Sequence, residues 1–251
     1  MDRLIYTALT SMNAAMDRQR AVANNLANAS TPGFRAEIFA VTAATLKDES
    51  LEARALARGQ VRGADLATAR VSPTGQPLDI ALEGKALIAF QNPAGGEVYS
   101  RRGDLRVAAS GVLENGEGLA VLGQGGGPIT VPRGFAISIG EDGSVLAVDP
   151  AAPAAPPEAV DRIKLVSPEG SQLVKGIDSF LKVPGANGVD GVLPPDPTAR
   201  VTSGALEGSN VETSETLVQM IDAQRAFEQR ARIIQTAREL DEASSRLMAM
   251  R

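Results

Sequence analysis

Histidine, cysteine and tryptophan are absent from the 251-residue sequence, and aromatic residues make up only 3% of it. Without cysteine there can be no disulfide and no thiol nucleophile, and without histidine there is no imidazole for acid–base catalysis or for the usual zinc sites. We therefore expect no cofactor and no metal site. Since small aliphatic residues supply most of the apolar surface, we also expect thin layers and closely packed helices.

The chain has 25 basic and 30 acidic residues, which gives a modest net charge of −5. The arginine runs lack the interleaved aromatic residues that stack on bases, so we expect no nucleic-acid partner. No apolar run approaches the roughly 18 residues of a membrane span. Charged residues such as Asp2, Arg3 and Asp17 interrupt the N-terminal segment, which is therefore not expected to be a cleaved signal peptide.

The N-terminal segment has a helical pattern of about 26 residues. Its apolar and small residues recur at steps of three and four, which places them on one stripe of a helix about 39 Å long. A helix with such a coiled-coil-type stripe must bury it against another surface. The stripe consists of Ile5, Ala8, Met12, Ala15, Gln19, Val22 and Leu26.

A second helix of the same type is predicted from about residue 212 to residue 250, with Asn210 as its N-cap. Gln224 is a polar residue in its stripe, as Gln19 is in the first, and we hypothesise that these two side chains meet. The two helices are expected to pack together, within one subunit or between subunits. The second stripe contains Leu217, Met220, Gln224, Phe227, Ala231, Ile234, Leu240 and Leu247.

The middle of the chain has the pattern of antiparallel β-structure. Apolar residues alternate with others at Leu78, Ile80 and Leu82, which is typical of a half-buried strand. The pairs Asn115–Gly116 and Asp142–Gly143 are suited to tight turns between strands. We therefore predict an α+β fold in which an antiparallel all-β domain is inserted between long terminal helices.

These patterns divide the chain into three parts. Residues 1–35 and 208–251 form a discontinuous helical assembly domain, and residues 76–207 form the β-rich domain. Residues 36–75 form a connector, in which residues 46–56 could be a short helix.

Residues 24–34 combine features that an ordinary helix end does not need. Asn24, Asn25 and Asn28 lower helix propensity, so we expect groups outside the helix to use their side chains. Pro32 and Gly33 suit the two central positions of a type II turn. Phe34 follows the turn and is placed to pin it against a neighbouring surface.

The sequence Asn24-Asn25-Leu26-Ala27-Asn28-Ala29-Ser30-Thr31-Pro32-Gly33-Phe34 resembles the N-terminal signature of the bacterial flagellar rod and hook proteins. Residues 77–82, 99–103 and 204–211 also resemble this family, in the same order along the chain, and the first eight residues look most like a proximal rod subunit. The resemblance implies a structural, non-enzymatic subunit of the periplasmic basal-body rod, which polymerises axially and transmits torque from the motor to the hook and filament.

The resemblance also implies the partners: other rod proteins, copies of the same chain, and the flagellar type III export apparatus, with no small-molecule substrate. The helix stripes and the family signature together predict an assembly interface. Its residues are Ile5, Ala8, Met12, Ala15, Val22, Asn24, Asn25, Leu26, Asn28, Pro32, Gly33, Phe34, Leu217, Met220, Gln224, Phe227, Ala231, Ile234, Leu240 and Leu247. We expect the three asparagines to hydrogen-bond backbone groups at subunit boundaries.

Two alternatives remain. Within the same family, the chain could be a distal rod or hook subunit. From another class, it could be a periplasmic glycan hydrolase that uses carboxylates such as Asp79 and Glu83. Both side chains alternate with the apolar face of a strand and so are expected to point to solvent. An assay of peptidoglycan hydrolysis would separate these readings.

Overall fold

The computed structural model describes residues 2–46, 54–152, 155–176, 178–185 and 190–249. Helix α1 spans Asp2–Ala27 and helix α2 spans Thr213–Ala249, with strands between them, so the fold class is α+β. The strands are β1 (Glu37–Leu46), β2 (Arg54–Ala64), β3 (Val71–Pro73), β4 (Ile80–Leu82), β5 (Leu87–Gln91), β6 (Glu97–Ser100), β7 (Leu105–Val107), β8 (Leu113–Asn115), β9 (Ala120–Val121), β10 (Ala136–Ile139), β11 (Ser144–Val148), β12 (Glu158–Arg162), β13 (Leu165–Val166), β14 (Val174–Lys175), β15 (Leu181–Lys182), β16 (Val201–Ser203) and β17 (Ala205–Glu207).

The first of two compact units, here called the helical unit, comprises residues 1–27, 37–62 and 212–251. It contains α1, α2 and the two-stranded sheet formed by β1 and β2. Helix α1 packs along α2. Among the described residues, no helix combines the length and the apolar character that crossing a membrane requires.

The second unit, here called the β unit, comprises residues 28–36 and 63–211. Its largest sheet has the strand order β14-β15-β6-β5-β9-β8-β7, with β13 also paired to β5. Strands β10, β11 and β12 form a three-stranded sheet, and β4 with β16 and β3 with β17 form two-stranded sheets. These pairings are antiparallel, as the turn-rich sequence predicts.

The core of the β unit lies on both faces of its main sheet. Ile88 and Phe90 of β5 belong to the larger apolar cluster, whereas Leu87 and Ala89 belong to a smaller cluster. Consecutive strand residues point to opposite faces, so β5 is covered on both sides. Phe90 meets Phe180 edge to face, with ring centroids 6.3 Å apart.

The predicted turns are confirmed. Gly118 N–H donates to Asn115 O at 2.9 Å between β8 and β9. Gly143 N–H donates to Gly140 O at 2.9 Å between β10 and β11, and Gly143 has a φ of +83°, which favours glycine.

Three local predictions were wrong. The half-buried strand around Leu78 is fully buried from Ile80 to Leu82, because Ala81 is covered as well. The possible short helix at residues 46–56 is absent where the structure describes it, since Leu46 ends β1 and Arg54 begins β2, and residues 47–53 lie outside the described part.

The third concerns the start of α2. Asn210 is not its cap, because Glu212 immediately precedes the helix and its backbone oxygen accepts both Thr216 N–H at 2.9 Å and Thr216 Oγ1–H at 2.7 Å.

Candidate assembly surface

The face along which α1 and α2 pack is lined largely by alanine. Ala14, Ala15 and Ala21 of α1 and Ala223 of α2 are buried, as is Val22. Side chains of this size allow two helix backbones to approach closely.

This face only partly coincides with the predicted stripes. Ala15 and Val22 are buried, but Leu217 and Gln224 are exposed. The Gln224 amide donates at 3.5 Å to Glu228 of its own helix, and the hypothesised Gln19–Gln224 contact stays a prediction. The half-buried stripe residues are Ala8, Met12, Leu26, Met220, Phe227, Ala231 and Ile234, and the side chains of Ile5, Leu240 and Leu247 lie outside the described part.

A groove runs over the helical unit beside the packed face. Its larger part has a volume of about 470 Å³ and is lined by Arg18, Ala21, Val22, Asn25, Glu37, Phe39 and Gln219. Arg18 and Phe39 also line its continuation, together with Ser11, Ala14, Ala15, Ala223, Ala226 and Arg230. We call this surface the alanine groove. Five alanines line the groove, and its charged lining residues are Arg18, Arg230 and Glu37.

A second surface of the helical unit is apolar and exposed. Leu217, Val218 and Ile221 are 47%, 58% and 51% exposed near the start of α2, and we call them the α2 ridge. Each square ångström of apolar surface removed from water contributes about 25 cal/mol, so this patch is a candidate interaction site. On α1, Leu9 and Met16 are also about half exposed.

Two of the three signature asparagines bind Glu37, the first residue of β1. Asn25 Oδ1 accepts Glu37 N–H at 2.7 Å and Asn25 Nδ2 donates to Glu37 O at 3.2 Å, while Asn24 Nδ2 donates to the Glu37 carboxylate. Asn28 accepts Thr31 Oγ1–H at 3.1 Å through its own side-chain oxygen. The expectation that groups outside the helix use Asn24 and Asn25 is therefore confirmed, with partners inside the chain. Contacts of the three asparagines at subunit boundaries stay a prediction.

The Asn25 contact leads to a test of stability. Replacing Asn25 with alanine is expected to lower the stability of the helical unit by about 1–2 kcal/mol, because the Glu37 backbone loses two hydrogen bonds at a partly buried site. Asn13 is exposed on the same helix, so Asn13→Ala is the matched control, and its better helix propensity should leave stability equal or slightly higher. Thermal unfolding followed by circular dichroism measures both. Equal midpoints for the two variants would contradict the assignment.

The predicted type II turn is consistent with the geometry of residues 31–34. Phe34 N–H donates to Thr31 O at 3.3 Å, and Gly33 has a φ of +67°. A Cβ on Gly33 would collide with the backbone of Arg101 and Arg102. Glycine is therefore needed at this position both for its conformation and for the close approach.

Phe34 packs inside its own β unit. Its side chain is buried, and Lys175 Nζ lies 3.5 Å from the centroid of its ring. The same ammonium group donates to Arg35 O at 2.7 Å. The neighbouring surface that Phe34 pins is thus in the same chain, and a role of Pro32, Gly33 and Phe34 in contacts between copies stays a prediction.

Sequence reasoning missed a buried ionic cluster formed by Arg35, Arg101 and Glu207. Glu207 pairs with Arg35 and accepts Arg101 Nε–H at 2.7 Å, and all three side chains are at most 3% exposed. The remaining Arg101 donors bind backbone carbonyls within residues 82–86 at 2.8 Å. Burial lowers the pKa of the Arg35 guanidinium from its ordinary value, and the Glu207 carboxylate opposes this shift. The only signal in the sequence was that Arg101 and Glu207 lie in segments that resemble the rod and hook family.

Three protein-family models match the chain, and all describe flagellar proteins. Residues 5–35 match a model described as flagella basal body rod protein, and residues 81–147 match the D1 domain of the flagellar hook protein FlgE/F/G. Residues 202–247 match the C-terminal part of the flagellar basal body rod FlgEFG protein.

Similarity to individual proteins extends over the whole chain. The flagellar basal-body rod proteins FlgF of Salmonella typhimurium and of Escherichia coli are each 37% identical to it over 252 aligned residues, covering 100% of both chains. The flagellar basal-body rod protein FlgG of Bacillus subtilis is 26% identical, with 96% of this chain covered and 97% of the relative.

Proposed function

The chain belongs to the FlgF family of flagellar basal-body rod proteins, and from this premise we propose that it is a proximal rod subunit that polymerises axially and transmits torque to the hook and filament. It is a structural protein of the flagellar basal body. The observation that carries the proposed mode of assembly is the presence of an exposed apolar ridge and a groove of small residues on one helical unit.

The ridge and the groove differ in shape and charge. The groove is lined by alanines, Val22 and Phe39, together with the charged residues Arg18, Arg230 and Glu37. The ridge is apolar and has the exposed acidic residue Asp222 directly after Ile221. A ridge of one copy in the groove of the next would place exposed apolar side chains against a surface lined partly by alanine. Because the two surfaces are different patches, such contacts are heterologous and can continue as an open stack.

We further propose that the terminal helices pack in a coiled-coil manner with helices of neighbouring subunits, which include other rod proteins and copies of this chain. The predicted interface residues on the two stripes and in residues 24–34 would contribute to these contacts. Torque would then be carried by packed side chains, without an active site.

The location follows from the family, and the route is a proposal. The subunit would lie in the periplasmic part of the basal body after export through the flagellar type III apparatus, without a cleaved signal peptide. The charged residues in the first 20 positions support the absence of such a signal.

The two alternative functions, another rod or hook subunit and a glycan hydrolase, have less support than the proximal rod subunit. FlgF of Salmonella typhimurium is 37% identical to the chain, and FlgF and FlgG of Caulobacter vibrioides are 31% and 29% identical, which favours an FlgF subunit over an FlgG subunit. The glycan hydrolase would use Glu83 and Asp79. Glu83 is exposed, and its side chain accepts Thr202 Oγ1–H at 3.4 Å. The backbone of Asp79 pairs with that of Asp104 in an isolated antiparallel β-bridge. Neither carboxylate lines the alanine groove.

Substitutions in the α2 ridge test the proposed contact between subunits. A triple variant with Leu217→Gln, Val218→Gln and Ile221→Gln keeps helix-forming residues at exposed positions, so the free monomer should keep its stability within about 0.5 kcal/mol. In a strain that lacks its own copy of this rod subunit, the variant is expected to give no hooks and no swimming. Electron microscopy of basal bodies and a soft-agar swimming assay measure these outcomes.

The matched control is Val192→Gln, which changes a valine that is 65% exposed on the β unit. It should support hooks and swimming as the natural protein does. Normal rods with the triple variant would disprove the role of the ridge, while a loss of monomer stability would mean that these residues act inside the subunit.

A further inference from the structure

The chain passes between its two units four times, after residues 27, 36, 62 and 211. Within the β unit, three segments adjoin these passages: residues 28–36, 63–70 and 205–211. We call them the link segments. Any force that enters or leaves the β unit along the backbone must pass through one of them.

The first and the last link segments are bound directly to each other. Gly33 N–H donates to Glu207 O at 2.7 Å, and Asn210 N–H donates to Phe34 O at 3.3 Å. Ala36 N–H then donates to Asn210 Oδ1 at 2.7 Å. Later residues of the first segment thus contact later residues of the last segment, so the two segments run in the same direction.

The middle link segment joins the same cluster. Asp65 N–H donates to Ala36 O at 2.8 Å, and Asn210 Nδ2 donates to Asp65 O at 2.9 Å. Ala69 N–H donates to the Glu207 carboxylate at 2.8 Å. All three link segments therefore meet around two side chains, those of Glu207 and Asn210.

The ionic cluster anchors this meeting point in the sheet region. Glu207 is held by Arg35 of the first link segment and by Arg101, which in turn binds carbonyls within residues 82–86. Breaking a buried ion pair by removing one partner is strongly destabilising, because it leaves an uncompensated charge. Loss of the Glu207 charge would therefore leave Arg35 and Arg101 buried without their counter-charge.

We propose that the link segments form a mechanical clasp, which carries force between the two ends of the chain without loading strands β1 to β16. A pull that enters at residue 28 and leaves at residue 211 acts on opposite ends of two segments that run in the same direction. Such a pull loads their contacts together in shear. Strands β1 to β16 stay unloaded as long as the clasp holds. For a subunit under torque, this would protect the β unit from stepwise unravelling.

Pulling single full-length molecules by their two ends with optical tweezers tests the clasp. In the natural chain, roughly 600 Å of extension is expected to appear in one late event, when the clasp opens and the chain between residues 37 and 206 is released. In Glu207→Gln, the lifetime of the clasp at a fixed force should fall about tenfold or more, because hydrogen bonds to charged groups are lost.

Two further variants make the result decisive. Asn210→Ala removes the amide that joins the three link segments without leaving a buried charge unpaired, so it should also shorten the lifetime and serves if Glu207→Gln does not fold. Glu158→Gln changes an exposed acid on β12 and should leave the lifetime unchanged. Unaltered lifetimes in both clasp variants would overturn the proposal, as would a natural chain in which the roughly 600 Å held between residues 37 and 206 is released in several smaller steps. Because the measurement uses isolated chains, it does not depend on whether the chain assembles into a rod.

Discussion

Gly33→Ala is expected to lower the free energy of unfolding of the β unit by about 3 kcal/mol or more. The positive φ of Gly33 costs a residue with a Cβ about 1–2 kcal/mol, and forcing an extra carbon into a packed site typically costs a further 1–3 kcal/mol. The obstacle is the backbone of Arg101 and Arg102, which cannot rotate away as a side chain could. Urea unfolding followed by the fluorescence of Tyr99, buried in the β unit, measures the change.

Two other glycines separate the causes of this effect. Gly75 has a φ of +72° but no heavy atom within 4 Å of its added Cβ, so Gly75→Ala should show the conformational cost alone. Gly125 has neither a positive φ nor a neighbour within 4 Å, and Gly125→Ala should be neutral or slightly stabilising. If Gly33→Ala cost no more than Gly75→Ala, the close approach would be unimportant. In cells, Gly33→Ala should also abolish swimming, since a β unit weakened this far is open to proteolysis.

Ala223→Leu is expected to separate the two helices and to stop rod assembly. Ala223 is 1% exposed and lines the alanine groove together with Ala14 and Ala15 of α1. A leucine adds three carbon atoms where two helices are in close contact, which typically costs 1–3 kcal/mol and here must push α1 away from α2. The groove proposed to receive a neighbouring subunit would lose its shape at the same time.

The control for this variant is Ala23→Leu, the same substitution at an exposed position of α1. Thermal unfolding followed by far-ultraviolet circular dichroism should show an earlier loss of helix for Ala223→Leu and little change for Ala23→Leu. A soft-agar assay should then show no swimming for Ala223→Leu. Unchanged helix stability for this variant would contradict the close packing of α1 and α2, and normal swimming would contradict the function proposed for the groove.

The terminal helices and the turns were predictable because their signals are local. Helix α1 has 26 residues, as the stripe from Ile5 to Leu26 predicts, and both the Pro32–Gly33 turn and the Asp142–Gly143 turn occur where their residue types place them. Each of these features depends on residues no more than four positions apart. The N-cap of α2 was misassigned by two residues: Asn210 is a residue type that often caps helices, but its side chain accepts Ala36 N–H, and Glu212 directly precedes the helix.

The contacts of the candidate surface were not predictable in the same way. A stripe of helical residues defines a face only to within about one residue, and the choice between neighbouring faces depends on what packs there. On α2, the small side chain of Ala223 faces the packed side, so Leu217 is exposed instead of buried. Asn25 signalled a partner, but nothing in its own segment identified that partner as Glu37.

By itself, the sequence determined the two amphipathic helices, the β-rich middle, the turn at Pro32–Gly33 and the resemblance to flagellar rod proteins, because each rests on short-range periodicity or on a contiguous motif. Only the tertiary structure decided which helix residues are exposed as the α2 ridge, and that Arg35, Arg101 and Glu207 form one buried cluster. The physical reason is distance along the chain: Arg101 and Glu207 are 106 residues apart, and Ala36 and Asn210 are 174 apart. Pairings at such separations form only when the whole β unit folds and the removal of charges from water is offset by their partners.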